Sequence, residues 1–302
     1  MTPYHHSSGS DQRPDAREPR VAILVLGCRL TVYEHCIRTI RATWGSKSVE
    51  NADIFYVYGG QGAGAGANAD MVGLERLIGR SAPALADGQA WVVGDVILCG
   101  AADVREDQAD CILRKRLIAF GYLAKQRSYD FVYTVCATSY VDVDGLKRYV
   151  RSLPATGVYQ GALHVHQQTG YPFVSGASLL LSREIAVGLA DNAGAILAAH
   201  PDTLPDDVAI GHFVASTYGG DSVAEIARHI GAAMKATDNQ TFVVPPGDGS
   251  KDFVMAPAYS HAPSAHCYHY HFNSRRIWEM ENFHRRFFAP PGGPVGVDPH
   301  HT

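Results

Sequence analysis

Apolar and polar positions along the chain switch between two periods. Residues 21–27 (VAILVLG) are an unbroken apolar run, the pattern of a strand buried on both faces. From about 32 to 43 the pattern becomes helical, with Cys36, Ile37 and Ile40 on one side and Gly45 of "TWG" placed to end the helix as a C-cap. DIFYVYGG (53–60) predicts a second strand, and WVVGDVILCG (91–100) a strand and turn around Gly94 and Asp95. ADCILRKRLIAFGYLAKQ (109–126) is an amphipathic helix with Ile112, Leu113, Leu117, Phe120 and Leu123 on one side. DFVYTV (130–135) predicts another buried strand.

In the second half, YPFVSGASLLLSREIAVGLADNA (171–193) predicts a loop, a strand, then a helix from about Ser182, a suitable N-cap residue with Glu184 in the first turn. LPDDVAIGHFVASTYG (204–219) predicts an acidic turn capping a further helix, and CYHYHFNSRRIWEMENFHRRFF (267–288) closes the domain with aromatic and basic residues. Strands alternating with helices imply an α/β fold with a mostly parallel central sheet. No linker-like stretch divides the chain, so residues 20–288 are expected to form one domain between a disordered leader (1–19) and a flexible tail (289–302).

Composition narrows the function. Of 302 residues, 46% are hydrophobic and 19% charged, which suits a globular enzyme. The formal net charge is −4, so no basic excess points to nucleic acid. VAILVLG is too short to span a bilayer and follows no signal-type n-region, so a soluble, cytoplasmic protein is expected. None of the six cysteines forms a C-x-x-C pair; Cys28, Cys99 and Cys136 fall in or beside predicted strands as small core residues, which suits a reducing setting. Asn239-Gln240-Thr241 fits a glycosylation sequon, a triplet that often arises by chance.

Four features could carry chemistry. In GGQGAGAGANAD (59–70), Gly62, Gly64 and Ala67 fit G-x-G-x-x-A, a cradle for a dinucleotide pyrophosphate in an NAD(H)-dependent oxidoreductase; an Ala/Gly run fits it in several registers, and a surface loop is the simpler reading. Asp142 and Asp144 either hold Mn²⁺ or Mg²⁺ against a diphosphate or cap the helix that DVDGLKRYV starts. Asp206 and Asp207 either cap a helix or supply a general base. His261, His266, His269 and His271 offer imidazoles to a borderline metal, or pack with aromatics and contact substrate.

Six segments, in order, resemble the inverting β-1,3-galactosyltransferase and Fringe-like glycosyltransferases. CIRTIRATWG (36–45) is similar to that family's RxxIRxTWG, and DIFYVYGG to its next strand. Asp107 to Lys115 matches a D-x7-K stretch, and YDFVYTVCATSYVDVDGLKRYV (129–150) is similar to ydfvlktDDDvfVnvdnLlryL. YPFVSGASLLLSREIA (171–186) is similar to yPpYcsGagyvlSrdla, and LPDDVAIGHFVA (204–215) to LPDDxTxGyxv. The resemblance spans roughly residues 21–215. It implies a GT-A fold, with a Rossmann-like sheet binding a UDP-sugar at its strand ends. It also implies transfer of a hexose of the galactose or N-acetylhexosamine class to a glycan, glycoprotein or other hydroxyl acceptor.

The chain departs from the family at one place. The metal-binding DDD falls on Cys136-Ala137-Thr138, while Asp142 and Asp144 match the helix start downstream. The resemblance therefore implies a nucleotide-sugar site at Arg38, Arg41, Lys115, Cys136, Ala137, Thr138, Ser175 and Gly176, with Asp207 as general base and Asp206 as its alternative. No cofactor is expected to be required. Arg38, Arg41, Lys115, Arg275 and Arg276 are the cations able to replace a metal; of Arg114, Lys115 and Arg116, at least two are expected to be solvated surface charges. A Mn²⁺ or Mg²⁺ site at Asp142, Asp144, His269 or His271 is the alternative. Two further alternatives are an inactive pseudo-glycosyltransferase serving as a binding module, and a catalytic domain trimmed from a lumenal, Golgi-anchored protein.

Overall fold

The computed structural model describes residues 17–46, 49–61, 72–105, 107–126, 129–166, 168–199, 204–218, 267–269, 280–281 and 284–285. Strand β1 (Val21–Leu26) is buried along its whole length. Val21, Ile23 and Val25 enter one core, while Ala22, Leu24 and Leu26 enter another. Successive strand side chains point to opposite faces, so a sheet covered on both sides needs an unbroken apolar run.

Around β1 lie β2 (Ala52–Gln61), the hairpin β3 (Ala90–Val93) and β4 (Val96–Ala102), β5 (Phe131–Cys136), β7 (Tyr159–Val165) and β8 (Pro172–Ser182). The sheet order is β3-β4-β2-β1-β5-β8-β7. β1 pairs in parallel with β2 and β5, so Ile23 faces Ile54 on one side and Tyr133 on the other. β2 and β4 are parallel, whereas β3 and β8 run against their neighbours. This is the expected α/β architecture with a mostly parallel sheet. Gly94, at φ 59°, takes the left-handed step that the β3–β4 turn needs. A two-stranded ribbon, β6 (Ser139–Val141) against β9 (Cys267–His269), stands apart from the sheet.

Helices cover both faces. α1 (Thr31–Ala42) buries Cys36, Ile37 and Ile40, as its period predicts. Gly45 is not its cap. Thr43 ends the helix, its N–H bonded to the Ile40 carbonyl, and Gly45 lies in a following 3₁₀ turn (Trp44–Ser46). That turn buries Trp44, whose indole N–H donates to the Ser139 carbonyl at 3.2 Å; tertiary packing sets this end of the helix. The opposite face carries α3 (Cys111–Gln126), α5 (Arg183–Asp191), α6 (Ala193–Ala199) and α7 (Asp206–Tyr218). Ser182 precedes α5 at the N-cap position, but its hydroxyl makes no capping bond. It accepts from the Val158 N–H and donates to Glu184, because Ser182 also ends β8 beside Val158. A short α2 (Leu74–Ile78) completes the set apart from α4. Among the described residues, no helix is long and apolar enough to cross a membrane.

α4 (Val143–Arg151) resolves the capping question: Asp142 accepts from the Gly145 N–H at 2.9 Å. Asp142→Ala is expected to cost about 1 kcal/mol of stability, read as a lower urea midpoint with an unchanged slope. A larger loss would mean that Asp142 does more than cap.

Candidate active site

From β1 the chain runs to β2 on one side, and later elements place β5 on the other. Strand order reverses between β1 and β5, and at such a point the loops leaving the strand ends part to open a crevice. Here the loop after β1, the loop after β4, the turn after β5, the first turns of α3, Ser175–Gly176 of β8 and Asp206–Asp207 of α7 line one cavity of about 520 Å³.

The floor is a buried ionic cluster. Asp103, just past β4, accepts from the backbone N–H of Arg29 at 2.5 Å and of Gly59 at 2.6 Å. The Arg29 Nε lies 3.4 Å from Asp103 Oδ2. Lys115 Nζ donates to the Gly27 carbonyl at 2.9 Å, to the Asp103 carbonyl at 3.0 Å and to Asp103 Oδ1 at 3.3 Å. Burial depresses the Lys115 pKa, but the Asp103 charge, with its hydrogen bond to the ammonium, outweighs it, and the net direction is upward. Lys115 is therefore an ammonium whose three donors already have acceptors. It lines the cavity and ties the loops after β1 and β4 together.

The wall holds the acidic pair. Asp207, in the first turn of α7, accepts from the Val208 N–H at 3.0 Å and the Gly176 N–H at 2.9 Å. Burial raises its pKa, and the neighbouring charge of Asp206 raises it further; the two N–H donors and Arg116 offset this only in part. Arg116 donates from Nη2 to the Gly176 carbonyl at 2.9 Å. Its Nη1 stands 3.1 Å from Asp206 Oδ2, an ion pair without hydrogen-bond geometry, and its Nε has no hydrogen-bond partner among the described residues.

Lys115 and Arg116 are only 2% and 1% exposed, which corrects the expectation that two of the three basic residues are solvated. Arg114 is partly exposed and pairs with Asp110 and Asp87. The reason is helical spacing. Arg116 falls three residues after Leu113 and four before Phe120, on the stripe that those apolar residues bury. A charge on an apolar stripe is the sequence signal that marks it as buried.

The Cys136-Ala137-Thr138 turn stands at the end of β5, on the same cavity. The Cys136 thiol approaches the Gly176 carbonyl at 3.6 Å, the acceptor that Arg116 also uses. Burial, reinforced by Asp103, pushes the nearby Cys28 thiol up to about 11, and burial raises Cys111 as well, so both are neutral thiols. These residues do not fit a divalent cation: the triplet has no carboxylate, and a guanidinium stands beside it. Asp142 caps α4 and Asp144 is exposed on its first turn; neither lines the cavity. Among the described residues, no group of three or more His, Cys, Asp or Glu side chains could hold a metal ion.

Arg38 and Arg41 are not brought to the cavity. With Cys36, Ile37 and Ile40 turned inward, Arg38 is left off the cavity lining, and Arg41 pairs with Asp95 at 2.8 Å over the ring of Tyr56. The side chain of His269 lies outside the described residues, as do His261, His266, His271, Arg275, Arg276, the Gly62–Ala67 run and the sequon at Asn239.

No family model and no curated protein matches the chain. Among solved structures it is similar to the apo-form glycosyltransferase GlyE of Streptococcus pneumoniae TIGR4. The two are 12% identical with a TM-score of 0.41, over 87% of this chain and 60% of that one. The chain thus spans less than two thirds of that protein's length, and a likeness at this level says nothing of substrate or reaction.

Proposed function

We propose that the chain is an inverting glycosyltransferase of the GT-A type. It moves a hexose of the galactose or N-acetylhexosamine class from a UDP-sugar to a hydroxyl acceptor, without requiring a metal. One observation carries this reading. The Cys136-Ala137-Thr138 turn, Ser175–Gly176 and Asp206–Asp207, which come from three separate blocks of the resemblance, line one cavity at the strand-order switch. The cavity presents a half-buried carboxylate whose pKa is raised.

In this reading Asp207 takes the proton of the acceptor hydroxyl as its oxygen attacks the anomeric carbon. The bond from that carbon to the diphosphate oxygen breaks on the opposite side, and UDP leaves with the electron pair. The new glycosidic bond has the inverted configuration. A carboxylate with a pKa above the ordinary value is a stronger base for that proton than a solvated one.

The test is release of UDP from UDP-galactose, UDP-N-acetylglucosamine and UDP-N-acetylgalactosamine in EDTA, with and without simple glycoside acceptors. Release that increases with acceptor is expected. Binding of UDP with no release from any donor would replace this reading with that of a binding module, which the loss of the acidic triplet favours. Neither binding nor release would remove both.

A further inference from the structure

We propose that Arg116 is the diphosphate-binding cation of this site, a fixed guanidinium beside the Cys136-Ala137-Thr138 turn. The proposal rests on reading the cavity as a nucleotide-sugar site. Three observations locate the charge. First, the turn in the place of the acidic triplet offers a thiol, a methyl and a hydroxyl, a donor set that does not attract a hard cation. Second, Arg116 is 1% exposed yet lines the cavity, and two of its nitrogens, Nε and Nη1, lack hydrogen-bond partners among the described residues. Third, the guanidinium and the Cys136 thiol share the Gly176 carbonyl as acceptor, which puts the charge beside the turn.

The surroundings are shaped to this side chain. A Cβ on Gly176 would collide with Arg116 Nη2 and stand 3.0 Å from Nη1, so only glycine admits the guanidinium in this position. Asp206 holds it at 3.1 Å through charge alone. A phosphate oxygen could accept from Nη1, which faces Asp206 without making a hydrogen bond. A divalent cation at the same place would meet a like charge and no carboxylate from the turn. The other cations lining the cavity fit less well: the donors of Lys115 are directed at Gly27 and Asp103, and Arg105 is exposed. During transfer, negative charge grows on the departing diphosphate, and a preoriented guanidinium stabilises it without rearrangement.

Calorimetric titration with UDP and with uridine, each in EDTA and in Mn²⁺, tests this on the full chain. The wild type is expected to bind UDP equally in both buffers. Arg116→Met is expected to weaken UDP binding about 10–100-fold while leaving uridine unchanged, and Arg116→Lys to fall between. If Arg116→Met fails to fold because Asp206 is left unpaired, the double variant Arg116→Met/Asp206→Asn removes both charges and is expected to show the same loss. UDP affinity unchanged in the Arg116 variants would overturn the proposal and leave the nucleotide-sugar reading standing. So would a wild type that binds UDP only with Mn²⁺. A wild type that binds neither UDP nor uridine in either buffer would overturn the nucleotide-sugar reading and this proposal with it.

Discussion

Lys115→Met is expected to destabilise the fold by about 3–5 kcal/mol, the usual cost of breaking a buried ion pair by removing one partner. The Asp103 carboxylate would keep two backbone donors and the Arg29 guanidinium, but would lose the ammonium that faces it in the interior. The carbonyls of Gly27 and Asp103 would lose the same donor, so the loops after β1 and β4 would both come free at the cavity. Urea unfolding followed through the buried Trp44 reads this directly. The sign of the pH effect also follows. The folded-state pKa of Lys115 is raised above the ordinary value of 10.5, so its contribution is fully present below 10.5 and is lost as pH rises through the folded value. Stability at neutral pH should therefore not vary through this group. A variant that unfolds like the wild type but loses UDP binding would show the opposite role, with Lys115 serving the phosphate rather than the loops.

That contrast marks how far the sequence could be read. The strands were legible because both faces of the sheet are covered: an apolar run such as 21–26 has no other comfortable place. The helix cap at Asp142 was legible because a short acidic side chain before a helical period has a local partner, here Gly145. Local rules failed where partners are distant in sequence. Trp44 ends α1 by reaching Ser139, ninety-five positions away, so packing and not a cap at Gly45 stops the helix. β6 is three residues long, and its pairing with β9 leaves no periodic trace. In the cavity, the acidic pair Asp206–Asp207 is marked by its own turn pattern as cap or base, whereas two of the expected cations do not reach the lining. Arg38 and Arg41 sit in a matching segment, but their own helix register turns them away from the cavity. Arg116 is one of three adjacent charges, and only its spacing from Leu113 and Phe120 places it on the buried stripe.

Asp207→Asn is expected to reduce transfer by about 10²–10⁴-fold, the range that a positioned general base contributes, with little change in binding of UDP. The amide oxygen of the substituted side chain could still accept from the Gly176 or Val208 N–H, so the geometry would persist while the basic site is lost. Unfolding would not explain such a loss. The folded-state pKa of Asp207 is raised, so its stabilising contribution is fully present below the ordinary value of 3.8 and is lost as pH rises through the folded value. At pH 7 the half-buried carboxylate is a burden, and Asp207→Asn is expected to melt no lower than the wild type. The same shift sets the acid limb of kcat/KM. Asp207 must be ionised to accept a proton, so activity should fall at a pH above that of a solvated carboxylate. Asp206→Asn, which removes the neighbouring negative charge, should move the limb down, and Arg116→Met, which removes the neighbouring positive charge, should move it up. A wild-type rate in Asp207→Asn together with an inactive Asp206→Asn would pass the proton to Asp206. In that case Arg116, whose charge faces Asp206 at 3.1 Å, would be holding the base rather than the leaving group.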